Sequence, residues 1–203
     1  MEIAKIVCGP MPTNMYLLEE DGKVVIIDAE ARIEKIRPFL EGKELLAIFL
    51  THGHFDHIKG VDEIVKEYHV PVYLHPGDKK LATSKEIFQE NLSLFGFSAI
   101  IKSPLTDLEE GPLQIGPFDF EVLHTPGHTE GSVCFRIGED LFSGDTLFRR
   151  SIGRTDLEGG DARKMKDSLR RLRELDPQLK VHPGHEGETT LREELLYNYY
   201  LQL

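Results

Sequence analysis

Between residues 52 and 57 the chain places three histidines and an aspartate, in the run His52-Gly53-His54-Phe55-Asp56-His57. Imidazole nitrogens and carboxylate oxygens at such short spacing are the usual donors to a divalent ion such as zinc. A merely solvated loop is the poorer reading, because the run follows directly on an apolar stretch. With an extended backbone, His52 and His54 point the same way. Asp56 and His57, beyond a turn, face a second position. Three further loops each offer a donor where Pro or Gly bends the chain: His124-Thr125-Pro126-Gly127-His128-Thr129, Gly144-Asp145-Thr146 and His182-Pro183-Gly184-His185-Glu186. One such loop is a weak signal, since a histidine beside a turn is more often structural. Four in one chain point to convergence on one site.

The elements that must position these loops can be read from hydropathy and turn residues. Residues 45–50 are wholly apolar, the pattern of a strand at the centre of a sheet, and they run straight into His52. Short strands are expected over 3–8, 14–18, 24–27, 70–74, 113–115, 118–123, 132–137, 140–142 and 179–181. Glu20-Asp21-Gly22 makes a hairpin turn. Helical spacing marks 31–40, 60–68, 85–94, 161–175 and 190–200, with Pro38 expected to end the regular part of the first. The two halves share one order, strands followed by helix, strand and helix. That predicts two packed sheets with helices outside, a layered α/β arrangement. Each candidate loop follows a predicted strand, where α/β proteins place their binding loops.

Composition narrows the function. The chain has 203 residues, a length of one domain or two small ones, and no linker-like or repetitive segment marks a boundary, which predicts a single domain over 1–203. A net charge of −11 argues against a nucleic-acid binder that neutralises phosphates. No apolar run approaches the ~18 residues of a membrane span, and no export signal precedes the first strand. With two cysteines, Cys8 and Cys134, too few for a disulfide framework, this predicts a cytoplasmic protein without nucleic-acid or membrane partners.

The spacing carries a resemblance. His52-x-His54-x-Asp56-His57, then His128 in Thr-Pro-Gly-His-Thr, Asp145 in Ser-Gly-Asp-Thr-Leu-Phe, and His185 in Pro-Gly-His resemble the metal motifs of the metallo-β-lactamase superfamily, in an order that spans nearly the whole chain. Within it, Gly144 to Phe148 followed by Ser151-Ile152-Gly153-Arg154-Thr155-Asp156 is similar to glyoxalase II-like hydrolases, and the ending resembles their short bacterial members. The resemblance implies a four-layer αβ/βα sandwich with the site at one edge of the sheets. It implies two divalent ions, zinc with iron or manganese as alternatives. His52, His54 and His128 would hold one, Asp56, His57 and His185 the other, and Asp145 would bridge them. Only 18 residues follow His185, so the helical region that helps bind glutathione in the longer enzymes is missing. Asp145 stands where β-lactamases carry a cysteine, which argues against antibiotic hydrolysis.

The chemistry implied by the resemblance is hydrolysis of a thioester, such as an S-2-hydroxyacylglutathione. Paired divalent ions lower the pKa of a bridging water to ~7. Of the two catalytic candidates, Asp56 would both ligate and orient the nucleophile, and Asp145 would bridge the ions together with the water. The leaving thiolate, with a parent pKa of ~8.5, departs without a strong acid. Arg149, Arg150 and Arg154 lie close to Asp145 in an otherwise acidic chain, which suggests a small anionic substrate. Arg154 is the strongest contact candidate of the three, while Asn14 and Tyr16 are candidates for the mouth of the site. Thr51, Thr129 and Ser132 are candidates to orient the ligand imidazoles. His124 reads as structural, and His69, His75 and His182 as structural or surface residues. The competing enzyme reading is a mononuclear iron persulfide dioxygenase, through His52, His128 and Asp145. The non-enzymatic one is a metal-stabilised binding module, against which an open, shared site argues.

Overall fold

The computed structural model describes residues 1–202. Its first sheet contains β1 (Glu2–Cys8), β2 (Thr13–Glu20), β3 (Lys23–Ile27), β4 (Glu44–Phe49), β5 (Val72–Leu74) and β6 (Thr106–Asp107), in that spatial order. The first two junctions are antiparallel and the rest parallel. The second sheet is built from β7 (Gly111–Ile115), β8 (Phe118–His124), β9 (Val133–Ile137), β10 (Asp140–Gly144), β13 (Lys180–Pro183) and β14 (Thr189–Thr190). A small hairpin, β11 (Leu147–Phe148) with β12 (Ser151–Ile152), stands apart from both. The helices are α1 (Ile33–Leu40), α2 (Phe55–Ile58), α3 (Val61–Tyr68), α4 (Lys79–Thr83), α5 (Lys85–Phe95), α6 (Ala162–Arg173) and α7 (Leu191–Tyr197).

Alternation along the strands creates the layers. In β2, Met15 and Leu17 face outward to a core shared with Ile33, Ile36, Leu40, Val61 and Ile64 of α1 and α3. Their neighbours Tyr16 and Leu18 face inward, against the second sheet. The same two-residue period sends Cys134 and Leu141 to a third core beneath α6 and α7. Sheets packed face to face stand about 10 Å apart, and large side chains fill that gap. Phe49 lies 5.2 Å from Phe120 and 5.6 Å from Phe135, ring centre to ring centre, while Tyr16 meets Phe142 edge-on at 5.1 Å. The four-layer αβ/βα sandwich expected from the sequence is the observed architecture.

Local chemistry fixes the ends. The β2–β3 turn uses Asp21 and Gly22, both with positive φ, as a tight primed turn requires. Asp161 caps α6 by accepting from the backbone N–H groups of Arg163 and Lys164, and Ser84 caps α5 through Ile87 N. The expected break at Pro38 does not occur; α1 continues to Leu40. In so short a helix Pro38 forfeits only one bond, to the first-turn carbonyl, and buried Ile36 and Leu40 hold the last turn down. The expected terminal helix over 190–200 is interrupted at Asn198, whose amide instead donates to Phe148 O, Ser151 O and Glu194 Oε2. Among the described residues, no helix is long and apolar enough to cross a membrane.

Candidate metal centre

The C-terminal ends of β3, β4, β8, β10 and β13 meet at one edge of the sandwich, and the donor loops leave from there. The sheets are stitched together at this edge. Val133 N donates to Thr51 O at 2.8 Å, and Asn14 N donates to Gly184 O at 2.7 Å. The loops that carry His52 and His185 are therefore each tied to the opposite sheet.

All seven residues that the resemblance implies as ligands come together. The donor atoms of His52, His54 and His128 lie within 4.8 Å of one another, as do those of Asp56, His57 and His185, and those of His52, His57 and Asp145. Asp145 stands between the first two groups. Its Oδ2 is 3.4 Å from both His128 Nε2 and His185 Nε2, and its Oδ1 is 3.4 Å from His57 Nε2. Asp56 Oδ2 lies 3.3 Å from His185 Nε2 and accepts a hydrogen bond from Thr13 Oγ1 at 3.0 Å. Gly184 is what allows the His185 loop to come this close. A Cβ there would stand 2.2 Å from Asp145 Oδ1 and 2.8 Å from the His57 ring.

Residues behind the cluster fix which nitrogen of each ring faces it. Thr51 Oγ1 gives its single proton to Asp28 Oδ2, so at 3.0 Å it can only accept from His52 Nδ1. That leaves a lone pair on His52 Nε2, which is buried and makes no hydrogen bond. His57 Nδ1 donates to Asp28 Oδ2 at 2.7 Å, and His128 Nδ1 donates to the Arg154 carbonyl at 2.8 Å. Their Nε2 atoms are likewise directed into the cluster. Asp145 Oδ1 is a second buried atom without a hydrogen bond. Unsatisfied buried acceptors are costly, and here they converge with carboxylates and oriented imidazoles. The set fits a divalent ion, with N and O donors and outer partners of the kind metal sites use.

Charge agrees with this assignment. Burial, helped by neighbouring imidazoles, holds His52 well below its usual range, and burial brings His54 down to about 3. Both are neutral donors at pH 7. Burial pushes Asp145 up, but the facing histidines outweigh it and bring the carboxyl to about 2, and Asp56 is likewise held anionic. Burial opposes charging of His57 and His185 too, yet the surrounding carboxylates raise them to about 9 and about 11, so in the absence of a cation each holds a proton on its cluster-facing nitrogen that a bound ion would replace. The cluster thus attracts positive charge, the requirement for binding a cation.

A cavity of about 650 Å³ opens over His54, Asp56, His128, Asp145 and His185. Arg154 lines it, but its guanidinium is held by Asp156 in a two-point pair at 2.8 and 2.9 Å. Arg149 is exposed and lies outside the lining, and Arg150 covers Tyr197 at 5.5 Å. Asn14 and Tyr16 do not form the mouth either. Both are buried, and they donate to the Pro183 carbonyl at 2.9 and 2.7 Å, holding the His185 loop from behind. Of the expected orienting residues, Thr51 acts directly on His52. Thr129 and Ser132 instead bond each other, and Thr129 donates to Asp78. His124 donates to the Glu130 carbonyl and stacks on His75, while His182 donates to Asp140, all outside the cluster.

Two residues outside the sequence expectations prove central. Asp28 accepts from Thr51 N, Thr51 Oγ1 and His57. Asp78 accepts from Gly53 N, Gly131 N and Thr129 Oγ1, tying the loop of His52 and His54 to the loop of His128. Both follow predicted apolar strands, 24–27 and 70–74. That is the same placement that marks the ligands.

A sandwich of two mixed sheets with clustered histidines and aspartates at the strand ends defines a metallo-hydrolase scaffold. The chain belongs to the metallo-β-lactamase superfamily, whose pattern matches residues 8–185. It is 38% identical over 208 aligned residues to the probable metallo-hydrolase YqgX of Bacillus subtilis, covering 99% of this chain and 98% of that one. The fold is similar to that of the BLEG-1 B3 metallo-β-lactamase, with a TM-score of 0.92, 37% identity and complete coverage of both chains. It is also similar to TTHA1623, solved in a di-iron-bound form, with a TM-score of 0.88 and 41% identity over 98% of this chain and 100% of that one.

Proposed function

We propose that the chain is a thioester hydrolase of the glyoxalase II type, acting with two divalent ions. His52, His54 and His128 hold one, Asp56, His57 and His185 the other, and Asp145 lies between them. Bound there, divalent ions supply hydroxide at neutral pH and polarise the substrate carbonyl. The chain's own groups do the rest. Asp28, Thr51 and the Arg154 carbonyl keep the ring lone pairs of His57, His52 and His128 directed inward. Anionic Asp56, fixed by Thr13, can accept a proton-bearing nucleophile's hydrogen bond and aim it.

The observation that carries the thioester reading is the lining of the cavity, where, among the described residues, the only acidic side chains outside the cluster are Glu90, Asp156, Glu158 and Glu186, with Asp156 paired to Arg154. No lysine, tyrosine or cysteine among the described residues lines the cavity, and its histidines are all in the cluster. As the C–S bond breaks, a thiolate leaves with the electron pair and needs no proton, because its conjugate acid has a pKa of only ~8.5. An amine leaving group needs one. The likeness to a B3 metallo-β-lactamase supports a second reading, a β-lactam amide, on overall similarity alone.

The test is a substrate panel on chain reconstituted separately with zinc, iron and manganese. Thioester hydrolysis that follows metal content supports the proposal. Thiol-dependent oxygen uptake by the iron form without thioester hydrolysis would replace it with a persulfide dioxygenase. Hydrolysis confined to a cephalosporin would replace it with the second reading.

A further inference from the structure

The surface of the cavity above the cluster is more apolar than polar. Ile87, Asn91, Leu94 and Phe95 of α5 all line it, and their spacing places them on one face of the helix. Phe55, next in sequence to the cluster residue Asp56, packs at 5.6 Å from Phe95 and lines the cavity with it. Phe148 and Ile152 of the β11–β12 hairpin line it as well, Phe148 edge-on to His185 at 5.9 Å. Leu94 is 76% exposed although it lines the cavity, so it offers apolar surface that nothing in the chain covers. The enclosed volume suits a small molecule.

The charged residues at this rim are mostly of one sign. Among the described residues, Glu90, Asp156, Glu158 and Glu186 line the cavity with a single cation, Arg154, which is paired with Asp156; outside the lining, Lys80 lies 3.8 Å from Glu158 in an exposed pair, so Glu90 and Glu186 are the carboxylates of the rim without a cation beside them. The basic surroundings expected from the sequence are therefore not what the substrate meets. A carrier bearing several carboxylates encounters like charge on entry, whereas an uncharged chain encounters apolar wall.

We propose that the cavity seats an uncharged, apolar acyl chain between α5 and the β11–β12 hairpin, and that the acidic rim disfavours anionic thiol carriers. The proposal rests on the thioester reading for the reacting bond. It is independent of that reading for the fit of the chain.

Two measurements on the metal-loaded protein separate these. The first compares acetyl, butanoyl, hexanoyl and octanoyl thioesters of N-acetylcysteamine, an uncharged thiol, with the same acyl groups on glutathione. The expected result is a kcat/KM that climbs with chain length, by up to about fourfold for each methylene fully buried, and that is higher on the uncharged carrier. Leu94→Asp, at an exposed position, lowers the octanoyl-to-acetyl ratio. The second is calorimetric binding of the corresponding S-alkyl thioethers, which cannot be hydrolysed. Affinity that rises with alkyl length supports the apolar seat even if no thioester is cleaved, in which case the thioesterase reading alone fails. Thioether affinity flat with length, or a preference for the glutathione thioesters, overturns the proposal.

Discussion

Asp28→Asn isolates the role of the groups behind the cluster. Asp28 has φ of 56°, a conformation that asparagine tolerates, so the backbone need not move. In the parent, Oδ1 accepts from Thr51 N at 2.8 Å, and Oδ2 accepts from both Thr51 Oγ1 and His57 Nδ1, at 2.8 and 2.7 Å. An amide keeps the first bond. Its NH2 group cannot accept the other two. Thr51 must then turn its proton elsewhere, and His57 gains by moving its own proton to Nε2, the atom that faces the cluster. Loss of a partner of this kind costs about 10- to 100-fold in metal affinity, or about 1.4–2.7 kcal/mol. The effect should concentrate on the ion held with Asp56, His57 and His185. Chelator competition on the zinc-loaded variant measures it, with circular dichroism to show an unchanged fold. Retention of both ions at parental affinity would mean that Asp28 does not set the His57 tautomer.

Gly184→Ala should lower metal content and hydrolysis together, because the added methyl falls 2.2 Å from Asp145 Oδ1; elemental analysis of the purified variant checks this. Asp78→Ala leaves three buried donors without their acceptor, at about 1–3 kcal/mol for each group and less than the sum for all three. Urea unfolding should show a loss of several kcal/mol, and the His52, His54 and His128 group should bind its ion more weakly. Burial raises the Glu30 carboxyl from 4.5 to about 7. A group raised in this way contributes stability that is complete below its unfolded pKa and lost as pH rises through the folded one. The unfolding free energy of Glu30→Gln relative to the parent should therefore improve by about 3 kcal/mol between pH 4.5 and pH 7 and then level off; a difference independent of pH contradicts it.

The fold was legible because its signals are local. The apolar run at residues 45–50 and the short, largely apolar strands 14–18 and 24–27 mark sheets covered on both faces without knowledge of partners. The convergence of the donor loops was legible for the same reason, since each lies just beyond such a strand, whereas the choice of His128 over His124 and of His185 over His182 came from the resemblance. The roles of Arg149, Asn14 and Tyr16 were not, because sequence nearness to Asp145 or to a turn says nothing about direction. Asn14 and Tyr16 point into the wall behind His185, and Arg149 points to solvent. Asp28 and Asp78 act across 29 and 25 residues, on His57 and on Gly53, through contacts that exist only once the sheets are joined. The apolar character of the cavity depends on which face α5 turns inward, and the rim's acidity on loops brought together from opposite ends of the chain.

Metal stoichiometry bears most directly on whether both groups of ligands build the centre. The metal-stripped chain and its His185→Ala variant, reconstituted with zinc and freed of excess, are compared by elemental analysis while thioester hydrolysis is followed on the same samples. Two ions per chain in the parent, one tightly held ion in the variant and a corresponding collapse of hydrolysis are predicted. A single ion per chain in the parent, or full hydrolysis in the variant, would contradict a centre built from both groups.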